Sequence, residues 1–194
     1  MYKNTYSLYS SNGQRKYLNE DERHRFYERT KAIKTDKKLF CQLLYFTGAR
    51  ISEVHNLTKK SIDFSNKTVV FETVKRRKKG VFREIPIPTS LLEDLKIYML
   101  NDAKDGGADL WGFSLRTASR YVKAVMDKAE ITGGQSTAKG LRHGFAVYAI
   151  SKVPITLVKK WLGHSRLTTT EIYLEIVGRE EREMAKKLWG DLSS

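Results

Sequence analysis

The chain is poor in residues that staple a fold covalently or through a metal. Of its 194 residues one is cysteine, which excludes an intramolecular disulfide and a cysteine-based zinc cage. That residue, Cys41, lies in the apolar run LFCQLLYF and reads as helix core without a functional role. No apolar run approaches the ~20 residues a membrane span requires. The start, MYKNTYSLYSSNGQRKY, is polar and unlike a signal peptide, so a cytoplasmic protein is expected. Internal repeats, low-complexity tracts and Ser/Pro-rich linkers are also missing, and one main domain is expected. Negative charge is scarce. Lys and Arg number 36 against 22 Asp and Glu, a formal charge of +14. Such a field favours a polyanion, nucleic acid first and an anionic membrane second. The long basic amphipathic helix that a membrane-surface protein would use is not obvious.

Hydrophobic residues at 40% and aromatics at 11% are normal for a globular protein. Residues 1–17 lack periodicity and read as a loosely ordered arm. At Asn19-Glu20-Asp21-Glu22 an asparagine cap, an acidic first turn and a glutamate at the third helical position start a helix that runs to about residue 34. A second helix follows Asp36, with Leu39, Phe40, Leu43, Leu44 and Phe46 at largely helical spacing, and Gly48 ends it before a short helical piece from Ile51 to Leu57. From Ser61 to Pro88 the pattern is extended, with KTVVFETV and VFREIPIP flanking a basic tip as antiparallel strands. Helices are expected at about 90–101, 114–130, 138–152, 154–162, 167–176 and 178–189. The expected fold class is mainly α with a small antiparallel β-sheet insert. The expected organisation is an arm (1–17), a main domain (18–176) and a C-terminal helix or tail (177–194).

Four segments carry candidate chemistry. In TGARISEVHNL, Arg50 is rooted beside Ile51, Val54 and Leu57, and a rigid guanidinium can grip phosphate bidentately. The competing reading is an internal salt bridge to Glu53 or another carboxylate. Lys75, Arg76, Arg77, Lys78 and Lys79 crowd the hairpin tip, which fits a DNA groove or a solvated basic turn. In KGLRHGFAVYAI, Lys139, Arg142 and His143 cluster at a helix start, a place that favours anions. They could equally be solvated. In WLGHSRLTTTEIYLEI, His164 lies in a turn and Tyr173 follows nine residues later. Singly, these read as a backbone-bonded turn histidine and a packed tyrosine. A further basic face, Arg116, Arg120 and Lys123 at four- and three-residue spacing, could lie in a major groove or simply face solvent. The last segment, GREEREMAKKLWGDL, places Met184, Leu188 and Trp189 on an amphipathic helix.

In combination and order, TGARISE, a hairpin lysine, KGLRH and LGH with a tyrosine nine residues on resemble the tyrosine recombinase (integrase) family over roughly residues 18–190. The resemblance implies a catalytic core of the kind shared with type IB topoisomerases. It implies that Arg50, Arg142 and His164 clasp a scissile DNA phosphate, that Tyr173 attacks phosphorus, and that Lys75 assists departure of the 5′ oxygen. The product would be a 3′-phosphotyrosyl linkage, made with neither metal nor nucleotide cofactor. One departure is plain, because the family has His-x-x-Arg where this chain has Lys139-Gly140-Leu141-Arg142. Type IB topoisomerases are similar in carrying lysine here. Lys139 is therefore kept as a catalytic candidate, and His143 is not expected to substitute as a base.

The resemblance also implies double-stranded DNA as partner, no small-molecule substrate, and a homo-oligomer of two to four subunits on paired sites, with the tail docking on a neighbour or folding back on its own core. With about 17 residues before the main domain, the chain resembles small single-domain recombinases that invert fimbrial promoters, or a fragment of a longer protein. A bacterial, phage or plasmid setting follows. The rival readings are topoisomerase-like relaxation and a non-catalytic DNA-binding module of the same fold.

Overall fold

In the computed structural model the described residues are 8–73, 80–101 and 109–174. The first helix, α1 (Glu20–Thr30), opens on the expected capping box: the Asn19 side chain accepts from the Glu22 N–H at 2.8 Å and the Glu22 carboxylate accepts from the Asn19 N–H at 2.9 Å. It stops at Thr30, short of the expected residue 34. The Thr30 hydroxyl donates to the Tyr27 carbonyl and accepts from Gln42 at 3.0 Å, which binds the last turn sideways into the core. Helix α2 (Thr35–Thr47) begins one residue before Asp36 and ends at Gly48 in the left-handed region, φ 60°. A side chain at Gly48 would also overlap the Phe145 ring, so the position is closed to larger residues twice over. Helix α3 (Ile51–His55) and a 3-10 turn (Lys59–Ser61) lead into the sheet.

Strands β1 (Ile62–Asp63), β2 (Thr68–Glu72) and β3 (Phe82–Pro86) form an antiparallel sheet in the order β1-β2-β3. β2 and β3 pair from Thr68↔Pro86 to Glu72↔Phe82, and the Thr73 N–H to Val81 carbonyl bond carries the hairpin toward its tip. The basic tip, Lys75 to Lys79, lies outside the described residues. Helices α4 (Thr89–Asn101), α5 (Leu115–Lys128), α6 (Ala138–Ile150), α7 (Ile155–Leu162) and α8 (Thr168–Glu171) complete the chain. The expected helix 167–176 ends early: α8 stops at Glu171 and Tyr173 sits in the turn after it, its N–H bonded to the Thr170 carbonyl at 3.1 Å. Three consecutive β-branched threonines make poor helix, and Thr170 spends its hydroxyl on His164. The expected helix 178–189 lies outside the described residues.

Two cores result. The larger is centred on α2, which packs against α1, α3, α4, α5 and α6, with Phe40, Leu43, Leu44, Phe71 and Leu95 fully buried. The smaller gathers Phe145, Ile150, Val158, Leu162 and Tyr173 from α6 to α8. Residues 8–17, expected to be part of a loose arm, turn back through a Tyr9↔Arg15 bridge and bury Leu8 and Tyr17 in the smaller core. Two apolar anchors flanking a turn are enough to pin this segment. No helix among the described residues is long and apolar enough to cross a membrane.

Candidate active site

The site forms where the N-terminus of α3, the first turns of α6 and the α7–α8 connection meet. Arg50 stands at the N-terminal edge of α3, where the Glu53 carboxylate accepts from its backbone N–H at 2.8 Å and from its Nη1 at 2.9 Å. The alternative reading of Arg50 as a partner of Glu53 is thus realised, yet its side chain is still 43% exposed and can reach an incoming anion. Glu53 itself is buried and is shared with Arg83, whose Nη2 lies 2.6 Å from Oε2. Burial works against the Glu53 carboxylate. Hydrogen bonds and charge from Arg83 and Arg50 outweigh it and hold its pKa below the usual range.

Arg142, on the second turn of α6, is buried and braced by backbone. Its Nη1 donates to the Gly48 carbonyl and its Nη2 to the Leu162 carbonyl, both at 2.8 Å. Burial, with Arg50 nearby, lowers its pKa to about 10, and it remains a cation at neutral pH. Arg142 Nη2 also lies 3.1 Å from His164 Nε2. A guanidinium only donates, so Nε2 accepts, and the His164 proton sits on Nδ1, 3.0 Å from the Thr170 hydroxyl. Burial, then Arg142 and Arg50, push the His164 pKa down to about 3.

Tyr173 is 1% exposed, its ring nearly parallel to His164 at 6.4 Å between centroids. Burial raises its pKa to about 12 against the pull of Arg142 and Arg50. Its hydroxyl is 2.8 Å from Nδ1 of His143, a residue not expected from its sequence context to substitute as a base. Burial, followed by Lys139, Arg142 and Lys16, lowers the His143 pKa to about 4. Lys139 is exposed on the first turn of α6 and acts on the site through its charge.

The structure therefore brings together Arg50, Arg142, His164 and Tyr173. Lys75 and the tip residues Arg76, Arg77, Lys78 and Lys79 lie outside the described residues. Arg116, Arg120 and Lys123 do share the exposed face of α5, opposite buried Ala118, Val122 and Val125. Lys123 pairs with Asp127 at 2.6 Å. The sequence reading missed His143 and Arg83. Arg83 was findable, since strand alternation places it inward with Ile85 and Ile87, between outward Phe82 and Glu84. It reaches Glu53, Thr73 and, at 2.8 Å, the Trp161 carbonyl of α7.

A helical body with a small hairpin sheet, and two arginines beside a buried tyrosine, define a protein class. Residues 16–178 match the model of the Phage integrase family, and the chain belongs to that family. Tyrosine recombinase XerA of Pyrococcus furiosus is 32% identical over 181 residues, covering 89% of this chain and 61% of that protein. A tyrosine recombinase of Pseudothermotoga lettingae is 32% identical over 154 residues, covering 77% of this chain and 53% of its own length. The chain thus spans 53% to 61% of the length of these two relatives. Among solved structures, a XerA recombinase aligns with a TM-score of 0.75 at 26% identity, over 88% of this chain and 64% of that one. The catalytic domain of bacteriophage HP1 integrase aligns with a TM-score of 0.64 at 23% identity over 88% of this chain and 93% of that domain, a likeness of fold.

Proposed function

We propose that the chain breaks and rejoins DNA strands as the catalytic domain of a site-specific tyrosine recombinase, with Tyr173 as nucleophile. The observation that carries this reading is the convergence of Arg50, Arg142 and His164, three anion-binding groups, beside the one buried tyrosine hydroxyl of the cluster. A DNA phosphodiester held by the two arginines would present phosphorus to the Tyr173 oxygen. Fixed positive charge then stabilises the extra negative charge on the equatorial oxygens as the pentacovalent state forms. Attack makes a 3′-phosphotyrosyl bond and releases the 5′ oxygen, to which Lys75 would deliver a proton. The new ester preserves the bond energy, so the 5′ hydroxyl of another strand can reverse the step.

The contact between Arg142 and His164 also supports a coupling between binding and protonation. With its lone pair committed to Arg142, Nε2 of His164 cannot donate to phosphate. A bound phosphodiester brings the negative charge that offsets Arg142 and Arg50, favouring imidazolium and turning His164 into a donor. Outside the site, the α5 face and the residues Lys75 to Lys79 would bind the DNA backbone, and two to four copies would assemble on paired sites. A XerH site-specific recombinase, a fold neighbour at 22% identity, was solved bound to its palindromic difH substrate in a post-cleavage complex.

The test is a suicide DNA duplex nicked beside a candidate cleavage position, incubated with wild type and with Tyr173→Phe. A covalent adduct on a denaturing gel from wild type alone supports the reading. Adduct with both proteins reassigns the nucleophile, and salt-sensitive binding without any adduct leaves a DNA-binding module. Supercoil relaxation that needs no particular sequence points instead to topoisomerase-like chemistry.

A further inference from the structure

We propose that His143 is the base that takes the proton from Tyr173, an assignment that rests on the strand-cleavage reading above. The Tyr173 hydroxyl needs an acceptor, and three neighbours compete. Lys139 holds the position where the family resemblance would put a base, but it is an exposed ammonium with donors only. His164 has both nitrogens committed, Nε2 to Arg142 and Nδ1 to Thr170. His143 alone places a ring nitrogen on the hydroxyl, 2.8 Å away, with the ring centroids 5.8 Å apart. Both partners are anchored. His143 rides on α6 one residue beyond the braced Arg142, and Tyr173 is enclosed by the smaller core.

The charges facing His143 fix its state. Lys139 and Arg142 come from its own helix, Lys16 from the segment before α1, and Tyr173 and His164 from the α7–α8 side. Burial first, and these cations after it, keep the imidazole neutral at physiological pH, and for Nδ1 to accept the Tyr173 hydroxyl hydrogen the ring proton must sit on Nε2. In the forward step the Tyr173 O–H bond breaks toward Nδ1 as the oxygen–phosphorus bond forms. The bond from phosphorus to the 5′ oxygen breaks, and that oxygen is protonated by a separate acid, for which Lys75 is the candidate. On rejoining, the His143 imidazolium returns its proton to the departing tyrosinate. The bound phosphodiester offsets the repulsion from Lys139 and Arg142, so the base gains strength when substrate is present.

The test compares wild type with His143→Asn and His143→Ala on the nicked suicide duplex in single turnover. Asparagine can accept the tyrosine hydrogen bond but cannot take its proton. Loss of a general base costs about 10²- to 10⁴-fold in adduct formation, with DNA affinity and thermal midpoint unchanged. Added imidazoles are expected to restore the alanine variant in order of their basicity, which a positioning role would not produce. In the DNA-free protein, 15N NMR is expected to show Nδ1 of His143 unprotonated at neutral pH. An asparagine variant as fast as wild type, or Nδ1 found protonated, overturns the assignment. If wild type forms no adduct on any cleavage-site DNA, the strand-cleavage reading falls first and the base falls with it.

Discussion

The two sides of the site are built differently. On the arginine side, Arg142 is clamped by two main-chain carbonyls, and Arg50 shares the buried Glu53 with Arg83. Those partners come from the end of α2, from α3 and β3, and from the backbone at the end of α7. On the tyrosine side, Tyr173 follows a helix of four residues and meets the rest of the site through a hydrogen bond to His143 and a stacked contact with His164. The charges that must not move are set in rigid structure. Tyr173, the proposed nucleophile, stands on a short turn.

Four measurements would break or sharpen that contrast. The largest effect is expected from Tyr173→Phe, which keeps the ring in the smaller core and removes only the hydroxyl. Adduct should vanish on a denaturing gel while the melting temperature stays close to wild type. Next comes the arginine side. Arg142→Lys cannot span both carbonyls and His164, and single-turnover cleavage should fall about 10²- to 10³-fold. Urea unfolding should also show a loss of ~1–3 kcal/mol for each carbonyl left unsatisfied. Should Arg142→Lys retain full activity, the arginine side would be no more demanding than the tyrosine side.

A third, smaller effect concerns acid. His143 and His164 titrate near their ordinary value when unfolded but at about 4 and about 3 when folded. The unfolded chain therefore binds more protons below pH ~6.5, and stability, fully present above that pH, falls as pH drops from about 6.5 toward 3. Melting curves over this window should show the loss, and inorganic phosphate should reduce it by supplying the missing negative charge. A flat profile would mean that the two imidazoles are not held among cations. The smallest effect is expected on the α5 face. Arg116→Ala and Arg120→Ala should each lower the slope of log affinity against log salt by about 1 without changing the cleavage rate of bound DNA. An unchanged slope would make them solvent-facing charges.

Most of this arrangement was legible in the chain, for identifiable reasons. Gly48 and Gly163 end helices just before Arg50 and His164, and Asn19 caps α1, so local chemistry marked the element boundaries around the site. Two helix ends differ from the expectation: α1 stops at Thr30, whose hydroxyl is turned into the core, and α8 stops at Glu171 after a run of stiff threonines. The contact of His143 with Tyr173 was not legible for another reason. The neighbouring Arg142 points into the body, and nothing in helical periodicity tells which of two adjacent residues meets a hydroxyl thirty positions away. The packing of residues 8–17 likewise rests on two distant apolar contacts that no local pattern announces.

Arg83 ties three remote stretches of chain together: Glu53, thirty positions earlier, Thr73 within its own hairpin, and Trp161, seventy-eight positions later. Arg142 reaches back ninety-four positions to Gly48. A chain emerging from the ribosome in order would hold Arg50 and Glu53 long before it held their partners, and Tyr173 would arrive last of the cluster. On the proposed reading, a strand-cutting centre made this way lacks its nucleophile until the other residues of the cluster have been translated.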